Sequence, residues 1–283
     1  MKKIIFAVIL LISVLFTVSA QESLINSEDS PAQFFFETEQ GFLSVLNHTY
    51  QVGSGGDEFD FRTQGGQEIL FPFERYSVGL ELFDKHRITY TYQPLTILTN
   101  VVFQDDVTID TVTFADGTPV AITYGFPFYR VSYTYDLLGN DPNRVVGVGA
   151  ALQFRNASIS FASADGEQLS VSQNLGPVPA LSFYSRWKTP FGMILSTDIT
   201  GVYASSALFN GADFDFAGSL LDASLRAGYV LKNGSEVFGN LRYFGGSAEG
   251  TSQYPDLYWT ESVEDYTANY ISTLTASLGI TLR

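Results

Sequence analysis

The chain has 283 residues, a formal charge of −15, no cysteine and two histidines, His48 and His86. This excludes a disulfide framework and a cysteine nucleophile, argues against a His-rich metal centre, and leaves too few cations for general binding to nucleic-acid phosphates. Phe (24), Tyr (16) and Gly (25) are abundant, a composition of strands and tight turns long enough for one large all-β domain or two smaller ones.

Residues 1–20 read as a secretory leader. Lys2-Lys3 give the positive start, Ile4 to Val18 is almost unbroken apolar sequence, and Val18-Ser19-Ala20 is a small-residue cleavage site before Gln21. The apolar run is short for a spanning helix of about 20 residues. Residues 21–33 are a polar, acidic tail, and residues 34–283 form the folded body. No later segment is long and apolar enough for a helical span; alternating segments recur instead.

Gln40–Gly53 predicts a first strand with weak alternation. Arg75–Phe83 sets Tyr76, Val78, Leu80 and Leu82 on one face; Asp84-Lys85-His86 turns; Arg87–Pro94 sets out Ile88, Tyr90 and Tyr92. Residues 94–122 are less regular, with turn signals at Asp105-Asp106 and Ala115–Pro119 flanking a hairpin arm over Val107–Phe114. A clear strand follows, with Tyr129, Val131, Tyr133, Tyr135 and Leu137 opposite Arg130, Ser132, Thr134 and Asp136. After the turn at Gly139–Asn143, Val146, Val148, Ala150, Leu152 and Phe154 share a face. Ala164-Asp165-Gly166 turns into Ser170–Lys188, expected to break at Pro177-Val178-Pro179 because proline cannot donate to a ladder. Met193 to Tyr203 and Leu221 to Leu231 alternate, Asn233-Gly234 is a hairpin turn, and Val237 to Tyr243 follows. In the last stretch Tyr270, Leu274, Ala276, Leu278, Ile280 and Leu282 oppose Ile271, Thr273, Thr275, Ser277, Gly279, Thr281 and Arg283.

That terminal strand is about long enough to cross a bilayer when tilted, and it resembles the closing strand of a bacterial outer-membrane β-barrel. Gly117-Thr118-Pro119-Val120 followed by Tyr129–Tyr135 is also similar to stretches of uncharacterised outer-membrane barrels. The resemblance implies an all-β fold, a transmembrane antiparallel up-and-down β-barrel of about ten strands (eight to twelve), in the outer membrane of a Gram-negative cell. It implies a periplasmic tail at 21–33, contact with outer-membrane lipid and lipopolysaccharide, and assembly by the barrel-assembly machinery. No cofactor is expected. The turn lengths agree: residues 84–86, 138–143, 188–192 and 232–235 are short, and the alternate connections, including 53–68, 94–122 and 245–267, are longer. Tyr or Trp recurs toward the ends of the outward sets, where amphipathic rings favour headgroups. Arg283 departs from the aromatic last residue common in this superfamily. A soluble secreted β-sandwich also alternates, but over strands of about five or six residues.

The inward faces carry Glu81, Arg87, Arg130, Asp136, Arg155, Arg186, Asp198, Asp222, Arg226, Glu236 and Arg242. They suit a salt-bridge network filling a small lumen, or else a narrow, porin-like polar path for small solutes. The expected function is passive: structural, surface-binding or narrow-pore. The alternative is an outer-membrane hydrolase, protease or lipid A-modifying, with His48 toward the outer rim; no Gly-x-Ser-x-Gly motif accompanies it. Asp57, Glu58 and Asp60 cluster on a loop but match no EF-hand spacing, so no metal site is assigned. Tyr254, Tyr258 and Trp259 stand among loop acids as a ligand or partner surface, or as packing over the barrel mouth.

Overall fold

The structure, a computed structural model, describes residues 31–53, 55–139, 141, 143–206, 216–251 and 266–283. Its strands are β1 (Ala32–Val52), β2 (Phe59–Asp60), β3 (Leu70–Leu82), β4 (His86–Gln93), β5 (Thr96–Val102), β6 (Val107–Ile109), β7 (Val112–Phe114), β8 (Pro119–Gly125), β9 (Phe128–Asp136), β10 (Arg144–Ser163), β11 (Leu169–Lys188), β12 (Met193–Ser205), β13 (Phe216–Val230), β14 (Glu236–Thr251) and β15 (Tyr266–Leu282).

Ten of them (β1, β3, β4 and β9 to β15) form one closed antiparallel ring, in which β10 pairs with β11 and the terminal β15 pairs with β1 from Phe36↔Leu282 to Val52↔Thr267. Carrying the register once round the ring from Phe154 returns to β10 about 12 residues below its start. With strands about 4.8 Å apart and about 3.3 Å per residue, that stagger tilts them by roughly 40°, as a closed barrel requires. The outward face is a band of exposed apolar side chains. It runs over Phe34–Phe42 on β1, Tyr129–Leu137 on β9 and just beyond, Val148–Phe154 on β10, and Leu221–Tyr229 on β13. Trp187 and Tyr229 border the band below, and Tyr129 and Tyr203 above.

Four segments differ from the sequence expectation. β1 begins at Ala32, not Gln40, so residues 32 and 33 of the expected tail are already strand. Its weak alternation has a cause: a bulge between Val45 and Asn47 inserts Leu46, shifting the inward set from Glu37, Glu39, Leu43 and Val45 to His48, Tyr50 and Val52. Residues 94–122 hold two nested hairpins, β5–β8 outside and β6–β7 at the tip, with Asp110 in the left-handed region at φ 57°. β8 takes over from β9 as the partner of β10, from Gly125↔Ser158 upward. β11 runs through Pro177-Val178-Pro179 without a break, because its ladder to β10 continues there while its ladder to β12 stops at Leu181↔Gly201. β14 reaches Thr251 and β15 begins at Tyr266, which shortens the expected loop 245–267.

A charge placed in the middle of the outward band tests its contact with hydrocarbon. Leu225 is 60% exposed at the centre of β13. Leu225→Arg is expected to lower unfolding stability in phosphocholine vesicles by about 2–4 kcal/mol; denaturant titration reads this, and a change near zero would place Leu225 in water.

Candidate functional site in the barrel interior

The interior is divided into three levels. The lowest is a polar mouth, a cavity of about 480 Å³ lined by residues that include Glu81, Lys85, Arg87, Asp136, Arg186 and Arg283. Glu81 is bonded by Arg87 and by Arg283, the latter at 2.8 Å, so the unusual last residue points into the lumen. The guanidinium of Arg87 lies between the rings of Phe35 (4.2 Å) and Tyr184 (4.4 Å), and Arg186 reaches Glu236 at 3.1 Å. Asp136 joins no ion pair among the described residues. Its Oδ1 accepts the backbone N–H groups of Leu138 (3.0 Å) and Val146 (2.9 Å) and pins the turn between β9 and β10.

The middle level is a dense ionic layer. Asp222 on β13 accepts two hydrogen bonds from Arg242 on β14 (2.5 and 2.8 Å) and forms an ion pair with Arg130 on β9 (2.7 Å). Arg242 continues to Gln93 on β4 at 2.6 Å, and Arg130 holds Gln153 on β10 through two nitrogens. Arg226 on β13 bonds Glu37 and Glu39 on β1, each at 2.7 Å. Glu39 also accepts from Asn240 (2.7 Å) and Ser277 (2.9 Å), with Arg75 at 3.7 Å. Gly279 leaves space for the ring of Phe238, on which the Arg226 guanidinium stacks at 4.7 Å. Asp198 sits beside Arg130 and Arg226 without bonding either. Four arginines thus face four carboxylates. Five of these contacts, Arg130–Asp222, Arg242–Gln93, Arg226–Glu37, Arg226–Glu39 and Asn240–Glu39, join strands that are not neighbours in the ring, so the side chains meet across the interior. Burying the charges is costly, and their mutual hydrogen bonds offset that cost.

The upper level is apolar. The segment after β1 folds inward through β2, which pairs with Thr49 and Tyr50, and meets the β5–β8 hairpin. Together they bury Phe59, Phe61, Phe103, Phe114, Tyr124 and Phe161. His48 lies within this core, not accessible at the rim as the hydrolase alternative requires. It is 0% exposed, its Nδ1 bonds Gln67 Oε1 at 2.8 Å, and its ring stacks on Phe61 at 4.0 Å with Tyr124 edge-on at 4.3 Å. Burial lowers its pKa from about 6.5 to about 4. The loop acids are engaged locally: Asp57 accepts Thr108 N–H at 2.7 Å, and Asp60 accepts the N–H groups of Arg62 and Thr63. Beside the core lies a second cavity of about 460 Å³, into which Arg155 projects. Tyr254, Tyr258 and Trp259 lie outside the described residues.

The structure therefore gathers Glu81, Arg87, Arg186 and Glu236 at the lower mouth and Arg130, Asp222, Arg226 and Arg242 in the middle, and among the described residues it gives Asp136, Asp198 and Arg155 no ion pair. Sequence reasoning missed Glu37, Glu39, Arg75, Gln93, Gln153 and Asn240. The signal for Glu37 and Glu39 was their spacing of two, masked by the run Phe34-Phe35-Phe36; Arg75 shares the parity of Glu81.

No family model matches the chain, and no curated protein matches it. Among solved structures, the outer membrane protease OmpT from Escherichia coli aligns with a TM-score of 0.51 and 10% identity, over 90% of this chain and 99% of that one. A Pseudomonas aeruginosa FadL homologue gives 0.34 with 7% identity, over 88% of this chain and 90% of its own. The Pseudomonas putida toluene transporter TodX gives 0.33 with 10% identity, over 89% and 90%. At such identities the likeness is one of fold. The closed antiparallel ring, the outward apolar band and the fold shared with the protease show that the chain folds as an antiparallel β-barrel of the kind seen in outer-membrane proteins.

Proposed function

We propose that this chain is a sealed outer-membrane barrel of the surface-binding type rather than a pore for small solutes. The observation that carries this reading is Asp222, 2% exposed, held at once by Arg242 from the neighbouring strand and Arg130 from across the ring. A water column through the barrel would have to separate these three groups. The aromatic core above supplies a second closure, so a solute would have to cross an ionic layer and an apolar one in series. The hydrolase alternative needs a base within reach of a nucleophile, whereas the His48 ring is bonded to Gln67 and enclosed by rings.

Reconstituted protein in a planar bilayer is expected to show no stepwise conductance at neutral pH; regular steps would overturn the sealed reading. Asp222→Ala leaves Arg130 and Arg242 buried without their shared partner. It is expected to lower unfolding stability by about 3–5 kcal/mol and to introduce an anion-favouring leak. The upper closure should weaken in acid. His48 is neutral in the fold and titrates near 4, against about 6.5 when exposed. The unfolded state therefore binds the proton more readily, and stability is lost as pH falls from 6.5 to 4, by roughly 3 kcal/mol at most. Proteolysis within 55–69 and 94–127 should accelerate between pH 7 and pH 4.5, and His48→Phe should flatten that dependence.

A further inference from the structure

The barrel wall has an open seam between β11 and β12. β11 and β12 are paired from Lys188↔Ile194 to Leu181↔Gly201, yet β11 continues to Leu169 and β12 to Ser205. Lys188 N–H donates to Asn143 on the β10 side, and Thr189 N–H donates to Met193 on the β12 side. The β10–β11 register runs without a shift, so the odd-numbered nitrogens of β11 face β12. Above the last pair, two of these belong to Pro177 and Pro179, which have no N–H to leave unpaired. An unpaired donor at the hydrocarbon boundary costs several kcal/mol, and prolines at these two positions avoid that cost. Tyr203, 66% exposed, sets the seam at the upper border of the outward band.

Behind the seam lies the cavity of about 460 Å³, within the size range of sites for small molecules. Pro177, Val178 and Pro179 line it from one side of the seam and Val202 and Ala204 from the other, with Phe126, Leu220, Phe244 and Ile271 deeper in. Arg155, Tyr124 and Asn269 reach this largely apolar space, with Ser219, Ser247 and Thr267 also in its lining. Arg155 has no carboxylate within 4 Å and makes no hydrogen bond among the described residues, unlike the lumen arginines below it. Tyr124 is 0% exposed and lies beside Asn269 and Arg155, and Oδ1 of Asn269 has no hydrogen-bond partner among the described residues. Glu249 also lines the cavity, where it accepts the hydroxyl of Tyr266. A guanidinium without a carboxylate partner among the described residues, beside a phenol and a carboxamide and set among apolar walls, is complementary to an anion carrying a hydrocarbon chain.

We propose that this cavity binds a single-chain anionic amphiphile, a long-chain carboxylate or alkyl phosphate, admitted laterally from the outer leaflet through the β11–β12 seam, with its head at Arg155 and Tyr124 and its chain along the apolar lining. The proposal rests on the surface-binding reading above and names the ligand class.

The test uses the full barrel in phosphocholine vesicles with spin-labelled stearate, read by electron spin resonance. Wild type is expected to immobilise the stearate beyond the level seen with spin-labelled phosphatidylcholine, and stearyl alcohol should compete at least about tenfold more weakly than stearate. Arg155→Gln should weaken stearate binding about tenfold while keeping heat-modifiable gel mobility, and Arg155→Lys should restore part of it. Ala204→Trp should obstruct the seam and slow uptake. Laurate and dodecyl phosphate as competitors separate the two head groups: displacement by either supports the site, and the stronger names the head. Equal immobilisation of stearate and phosphatidylcholine, or unchanged affinity in Arg155→Gln, would overturn the proposal. Conductance recorded on the same vesicles keeps the two readings apart. Steps with specific stearate binding remove only the sealed barrel; silence without binding removes only the amphiphile site.

Discussion

A backbone that crosses hydrocarbon has no water to satisfy an unpaired N–H or C=O, and this constraint organises the molecule. Each strand needs a partner on both sides throughout the outward band. The pairing of β15 with β1, sustained from Phe36↔Leu282 to Val52↔Thr267, joins the two ends of the chain and removes both edges at once. Ring size and stagger then fix the width of the interior. With ten strands, that interior is narrow enough for side chains from opposite walls to touch, and they do so at Asp222 and at Arg226.

The same closure explains why the interior is charged. Alternate residues must face inward, where neither lipid nor bulk water takes them up. Polar side chains there are satisfied by bonding one another: the lumen arginines bond carboxylates and amides of β1, β4, β10 and β13, while Asn240 of β14 and Ser277 of β15 donate to Glu39. Above the band the constraint relaxes. The strands rise out of the lipid, and the interior switches from ionic to aromatic as the β2 segment and the β5–β8 hairpin fold in.

Much of the barrel was legible because period-two alternation is a direct consequence of having lipid on one side. Tyr129 to Leu137, Val146 to Phe154 and the terminal strand read cleanly for that reason. Legibility failed wherever both faces of a strand are apolar. On β1, Leu43 and Val45 face an apolar interior while Phe42 and Leu46 face out, and the bulge then changes the parity; no fixed period survives that combination. β5 and β8 are covered by the cap core on one side and stand above the band, so they carried no lipid signature. The prolines of β11 misled because they were judged against a two-sided ladder, whereas one of their sides has no ladder. Lumen partners such as Glu37 and Gln93 were invisible because their contacts depend on the three-dimensional closure, not on spacing along the chain.

β10 has one further consequence. Its lower part is held by β9 and its upper part by β8, with β11 along nearly its whole length. The cap is therefore grafted onto a strand that the wall also needs, since β8 pairs with β5 on one side and with β10 on the other. Anything that frees β10 from the wall also strips β8 of one of its two ladders, so damage to the cylinder and loosening of its lid are mechanically coupled.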